Sequence, residues 1–359
     1  MNLNNLTITI ITYNRYCFLK RLIGFYQAFE TEVKILVLDS SSEKLEDEIL
    51  IAQLESENVL WKRYAPSIFF AEKIAKGSEF INTEYAVLCA DDDFLFPSSL
   101  DKAVKFLQTN QDYSSCLGLQ YKHQVVSFFS KKIILFRESA IGGSKVVEER
   151  SSERILKYLS GRSVYYPMYA VQTTKDLKNI WQETSEIVSD WGLSEVFPCS
   201  ISLSLGKMNV LQVPYTTRER NSFTWYNDSR VKEMYSFEKT EIVKKRLGEI
   251  VSKADEISTA EGIAFATKAI NILIKRVFNN IDDLSSYRGK VKLKIIALPF
   301  IGIVLGKLYA EVRGLLVFYI LNRARPLKYL NTKTKEYLSD ALINNNCSQK
   351  DIVNSRKDY

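Results

Sequence analysis

Histidine is almost missing from this chain: its 359 residues contain one, His123. A Ser-His-Asp hydrolase would have to use that residue, and a histidine-rich zinc site is excluded. The five cysteines (Cys17, Cys89, Cys116, Cys199 and Cys347) are scattered without a C-x-x-C pair. That argues against a zinc ribbon or a disulfide scaffold and predicts a reducing, cytoplasmic compartment. No run reaches the ~18 apolar residues that a membrane-spanning helix requires. Internal repeats and low-complexity tracts are absent, and Met1–Asn5 is polar and uncharged, so no signal peptide is expected. Chemistry must therefore rest on carboxylates, lysines, arginines or hydroxyls.

What remains is an ordinary globular balance, 46% hydrophobic and 25% charged, in a length that suits two domains or one large domain with an appendage. The net charge of +7 is unevenly placed. Residues 268–328 carry twelve Lys/Arg against three Asp/Glu, a net of +9, so the rest of the chain sums to −2.

The first hundred residues alternate between strand and helix patterns. Leu6–Thr12, Val33–Leu38, Val59–Tyr64 and Tyr85–Ala90 are apolar, β-branched runs; Phe18–Phe29, Leu45–Leu54 and Phe69–Asn82 have helical spacing. Buried strands alternating with helices predict a parallel sheet covered on both faces. In such sheets ligands bind outside the carboxyl ends of the strands. Three of these four ends release polar residues: Thr12–Arg15, Asp39–Ser42 and Asp91–Asp93. Further on, Cys116–Gln120, Val125–Phe129 and Ile133–Phe136 predict a meander added to the sheet. Helices are expected at Glu148–Leu159, Thr174–Val188 and Trp191–Leu205, and a short strand at Val210–Pro214.

Asp91-Asp92-Asp93 lies between apolar residues on both sides, from Tyr85 to Pro97. Adjacent carboxylates repel one another, so holding them at a buried strand end requires a cation or hydrogen-bond donors. Hard oxygen ligands suit Mg2+ or Mn2+, which are commonly shared between one or two carboxylates and substrate phosphates.

Thr12-Tyr13-Asn14-Arg15, Asp39-Ser40-Ser41 and the aspartate run before Phe94, each on its own strand end, together resemble the GT-A nucleotide-sugar glycosyltransferases, in particular glycosyltransferase family 2. The resemblance covers roughly residues 3–225 and is strongest in the first hundred. It implies a Rossmann-like α/β fold, a mostly parallel sheet flanked by helices. Thr12, Asn14 and Arg15 would line the nucleotide pocket, and Asp39 would accept hydrogen bonds from the base or ribose. Asp91, Asp92 and Asp93 would be the DxD motif, Asp91 nearer the ribose and Asp93 on the metal. Asp190 would be the base of an inverting transfer; the usual family pattern there is Glu-Asp, where this chain has Ser189-Asp190. An N-cap is the alternative role for Asp190, and Glu195 the alternative base. Arg218 and Arg220 follow the strand after which the family often places a basic residue on the diphosphate. Lys73 and Lys76 are expected on a solvent-facing helix stripe, and Tyr165, Tyr166, Trp191, Trp225 and Tyr226 could stack on sugars or pack in the core. His123 is read as structural. The Gln-x-x-Arg-Trp motif of processive synthases is absent, which favours a single transfer per encounter.

Ile295–Gly306 is a twelve-residue uncharged run preceded by Arg288, Lys290, Lys292 and Lys294, and Gly314–Leu321 is apolar again before Arg323, Arg325 and Lys328. Twelve helical residues reach only about 18 Å, so 288–328 is expected to lie on an anionic membrane surface, or else to pack on the catalytic domain or on a second copy of the chain. No nucleic-acid motif accompanies the charge. The expected organisation is a catalytic domain at 1–235, a helical basic extension at 236–330 and a polar tail at 331–359. The expected function is transfer of a sugar from a nucleotide-sugar donor to a hydroxyl of a surface-glycan or lipid-linked acceptor at the inner face of the membrane. A non-catalytic membrane-associated assembly subunit and a sugar nucleotidyltransferase are the alternatives; the latter would want a glycine-rich loop, and Thr12–Arg15 has no glycine.

Overall fold

Leu6, Ile8 and Ile10 would suit a strand with one buried face, but Thr7 and Thr9 between them are buried as well. That two-sided burial marks the middle of a covered parallel sheet, and strand β1 (Leu6–Thr12) occupies it. The computed structural model describes residues 3–29, 33–128, 131–138, 143–161, 166–188, 193–219, 237–276 and 332–343. After β1 come α1 (Tyr16–Gln27), β2 (Lys34–Asp39), α2 (Glu48–Leu54), β3 (Val59–Arg63), α3 (Phe70–Ser78) and β4 (Tyr85–Ala90). The strands β3, β2, β1 and β4 lie side by side in that order, all parallel, as the alternating pattern predicts. Their register aligns Thr12 with Asp39, Asp39 with Arg63, and Ile11 with Ala90, so the polar strand ends form one row along one edge of the sheet.

The chain then changes sheets. Only two residues separate β4 from β5 (Asp93–Leu95), which belongs to a second, four-stranded sheet. It is followed by α4 (Pro97–Thr109), β6 (Tyr113–Phe128), β7 (Lys131–Glu138), α5 (Ser151–Ser160), a 3-10 turn (Pro167–Tyr169), β8 (Gln172–Thr173), α6 (Thr174–Ile187), α7 (Leu193–Leu205) and β9 (Lys207–Glu219). β8 closes the first sheet as an antiparallel edge strand on β4. The second sheet runs β5-β9-β6-β7, with β6 parallel to β9 and the other pairs antiparallel. This corrects the meander. Two of its three expected strands are one strand of 16 residues, β6, because the polar stretch around Lys122 continues a strand with one exposed face. β9 likewise runs through Pro214, which sits where the pairing with β6 shifts register and needs no ladder hydrogen bond.

The helix α8 (Phe237–Asp255) packs on α7 and α5 through buried Val243, Leu247 and Val251, so the described start of 236–330 builds onto the first unit. After α9 (259–276), the helix α10 (Thr332–Ile343) lies on α1 and β7 with Leu338, Ala341 and Leu342 buried and the Tyr337 ring 4.9 Å from that of Phe29. One apolar face is enough to dock a helix from a polar stretch. The stretch 288–328 lies outside the described residues. Among those described, no helix is long and apolar enough to cross a membrane. Cys89, Cys116 and Cys199 are free and buried, but Cys17 at the start of α1 is disulfide-bonded. Sequence spacing cannot reveal a bond made by tertiary contact, and cysteine usage no longer argues for a reducing compartment.

α8 and α9 meet at two glycines. A Cβ on Gly262 would stand 2.2 Å from the Gly248 carbonyl oxygen, backbone that cannot swing aside. Gly262→Ala is expected to cost about 1–3 kcal/mol through overpacking, read as a lower urea midpoint at unchanged slope; an unchanged midpoint would show that the contact is not tight.

Candidate active site

The row of strand ends is tied together by its own side chains. At the end of β1 the buried Thr12 hydroxyl donates to Asp91 Oδ2 at 2.8 Å. Asn14 takes a left-handed backbone, φ 49°, a conformation asparagine tolerates better than most residues. Its Oδ1 accepts from the Ser42 N–H at 2.9 Å, and its own N–H donates to Ser41 Oγ at 2.8 Å, so it clamps the loop after β2. Asp39 has no exposed surface; it accepts from the Tyr16 hydroxyl at 3.0 Å, the Ser41 N–H at 2.8 Å and Trp61 Nε1 at 3.2 Å. Asn14 and Asp39 thus hold the ends of β1, β2 and β3 together.

Lys73 departs from the expected solvent stripe. Lys76 does face outward, paired with Glu72 at 2.7 Å, but Lys73 is 3% exposed. Its ammonium donates to the Thr12 carbonyl at 2.9 Å and to Ser40 Oγ at 2.8 Å, joining the ends of β1 and β2. Burial lowers its pKa to about 8, with the charges of Asp39 and Asp91 opposing that fall. Nothing in helical periodicity separates Lys73 from Lys76; only the position of α3 over the strand ends does.

The aspartate run is the joint between the two sheets. Asp91 and Asp93 are buried and Asp92 is partly exposed. Arg15 bridges the first two, 2.8 Å from Asp91 Oδ1 and 2.9 Å from Asp92 Oδ2, with its guanidinium 4.3 Å from the centre of the Phe18 ring. Arg218 is the register partner of Asp93 across β5 and β9, and its Nε lies 3.0 Å and 3.3 Å from the two carboxylate oxygens. The Tyr169 ring flanks that guanidinium at 5.1 Å. Behind them Arg21, buried on α1, pairs with Glu219 at 2.7 Å and rests on Phe18 and Phe94. In sequence Arg21 reads as an ordinary helix residue, and only the fold brings it beneath the acids.

Burial dominates the electrostatics here. It pushes Asp93 up to about 7 and Asp91 up to about 6; Asp92's charge adds to both shifts, and Arg218 and Arg15 oppose them only in part. Asp92 itself is held down at about 2, because Arg15, Arg218 and Arg21 together outweigh its burial. Glu195, in the first turn of α7, is raised by burial while Arg218 pulls the other way. His123 is buried in the second sheet, 3.0 Å from Thr217 Oγ1 through Nδ1, and burial with Arg21 depresses it to about 3. It is neutral at physiological pH. Tyr166 is 36% exposed against the edge of Tyr158. Asp190, Arg220, Tyr165, Trp191, Trp225 and Tyr226 lie outside the described residues.

No group of three or more His, Cys, Asp or Glu side chains converges as a metal cage among the described residues. One or two hard carboxylates are what an ion shared with phosphate needs. The carboxylates of Asp93 and Asp91, hard oxygen donors two residues apart, fit such an ion, and in this structure each is engaged by an arginine.

Because the folded-state values of Asp91 and Asp93 exceed the unfolded carboxylate value of about 3.9, the folded chain holds more protons than the unfolded one above about pH 4. Their contribution to stability therefore falls as pH rises toward about 7. Asp93→Asn removes one of these contributions. Its thermal midpoint relative to wild type is expected to climb from about pH 5 to about pH 8, without metal or nucleotide; a constant difference over that range would contradict the burial-driven shift.

No protein-family model matches this chain, and no curated protein matches it. Among solved structures it is similar to S. aureus TarS 1-349, with 13% identity over 76% of this chain and 71% of that one and a TM-score of 0.47. TarS 1-349 in complex with UDP gives 12% identity over the same shares and a TM-score of 0.43. The complex with UDP-GlcNAc gives 12% identity over 81% of this chain and 92% of that one, with a TM-score of 0.39.

Proposed function

We propose that this chain is a metal-dependent, inverting glycosyltransferase of the GT-A type, moving a sugar from a nucleotide-sugar donor to a hydroxyl of a surface-glycan or lipid-linked acceptor presented at a membrane. The observation that carries this reading is the buried aspartate run at the joint of the two sheets, at the carboxyl edge of the parallel strands and faced by Arg15 and Arg218.

In the reaction, the acceptor oxygen bonds to the anomeric carbon as the bond from that carbon to the diphosphate breaks, and the acceptor proton passes to a base. Negative charge grows on the leaving nucleoside diphosphate, and preorganised positive groups aimed at that charge are commonly the largest catalytic contribution. Arg218 on the cleft wall and Arg15 at the end of β1 supply those groups. Mg2+ or Mn2+, held by Asp93 with Asp91 beside it, would add Lewis-acid neutralisation of the same diphosphate. Thr12 and Lys73 fix the strand ends on which the nucleotide rests. Asp190 takes the acceptor proton in this reading. Glu195 is the alternative, because burial has raised its pKa, as suits a general base.

Calorimetry with UDP, CDP and GDP in the presence of Mn2+ is expected to show binding of one of the three, whereas a non-catalytic assembly subunit would bind none. Asp93→Ala should lower turnover by about 10²–10³ or more. Asp190→Asn should keep donor affinity and lose transfer; retained transfer together with loss in Glu195→Gln would move the base to Glu195.

A further inference from the structure

The pairing of Asp93 with Arg218 is built into the backbone. The two residues are direct partners in the antiparallel ladder of β5 and β9, so the sheet itself delivers the guanidinium to both carboxylate oxygens, at 3.0 Å and 3.3 Å. Asp91 is similarly engaged, with Oδ1 on Arg15 at 2.8 Å and Oδ2 on the Thr12 hydroxyl at 2.8 Å. The carboxylates that would hold a divalent cation therefore already face fixed positive charge. Arg218 is not sealed in: its side chain is 34% exposed and lies against the Tyr169 ring on the cleft wall. Its backbone is held by the ladder, while the guanidinium reaches a partly exposed position.

We propose that Arg218 makes divalent-cation binding at Asp93 conditional on the diphosphate: without it the guanidinium holds the carboxylate and repels a second cation, and with it Arg218 transfers to phosphate oxygens and releases Asp93. This rests on the nucleotide-sugar reading above. It follows from charge alternation. A dication placed beside Asp93 in the ligand-free site meets Arg218 and Arg15 as like charges. A diphosphate between them gives both guanidiniums a stronger bidentate partner than a lone carboxylate. Ion and nucleotide then help each other bind, and linkage requires the help to be equal in both directions.

The experiment is a Mn2+ titration followed by the electron paramagnetic resonance of free Mn2+, with wild type, Arg218→Gln and Arg218→Lys. Each is measured alone and with saturating UDP, replaced by CDP or GDP where calorimetry shows that wild type binds one of those instead, after correction for Mn2+ held by the nucleotide in solution. Circular dichroism establishes that the variants are folded. Wild type is expected to bind Mn2+ at least about tenfold more tightly with UDP than without it. Arg218→Gln should bind Mn2+ alone about tenfold more tightly than wild type and lose most of the UDP effect, and Arg218→Lys should keep the coupling. Equal Mn2+ affinity of wild type with and without the nucleoside diphosphate it binds would overturn the proposal, as would an Arg218→Gln protein that binds Mn2+ alone no better than wild type. If wild type takes up no UDP, CDP or GDP, the nucleotide-sugar reading fails. The comparison of wild type with Arg218→Gln in Mn2+ alone still judges the role of Arg218.

Discussion

Three aspartates at the end of β4 repel one another in a place nearly free of water, and the rest of the site is arranged around that repulsion. The run is where the chain leaves one sheet and enters the other, so its backbone is fixed from both sides. Arg15 comes from the turn between β1 and α1, Arg218 from β9 and Arg21 from α1 beneath. The compensation is incomplete: burial still raises Asp91 and Asp93. A fold that holds carboxylates in this way carries a local instability, as functional sites commonly do.

The same row of strand ends explains how the site keeps its shape. Lys73 joins β1 to β2, Asn14 joins the turn after β1 to the loop after β2, and Thr12 joins β1 to Asp91. Asp39 anchors Tyr16 and Trp61. These contacts lie at the sheet's carboxyl edge, where α/β folds place their ligands, so binding groups stand on rigid elements and not on free loops. Arg218 differs, since its backbone belongs to a paired strand while its guanidinium reaches the cleft wall. In the proposed reaction that arrangement suits a diphosphate whose negative charge grows as the glycosidic bond breaks.

Much of this was legible in the sequence. The four parallel strands and the helices between them follow from apolar runs of strand length alternating with helical spacing, and each polar strand end was visible as an interruption. Asp91 to Asp93 stood out because buried neighbours on both sides make a solvated turn improbable. What could not be read were features created by tertiary contact. The length of β6 was hidden by Lys122 and its neighbours, which look like a break until one face is known to be exposed. α10 is hidden by its polar composition, and Lys73's burial by its likeness to Lys76 on the same helix. The Asp93–Arg218 pair joins residues 125 positions apart; each stands out alone in the sequence, but only the register of β5 on β9 makes them partners.

The most direct measurement is a crystal structure of the protein with a nucleoside diphosphate and Mn2+. The account predicts the diphosphate at the carboxyl edge of β1 and β4, the metal between it and Asp93, and the Arg218 guanidinium on phosphate oxygens and off the carboxylate. A nucleotide bound elsewhere, or a metal seated without Asp93 while the Asp93–Arg218 pair stays closed, would contradict it.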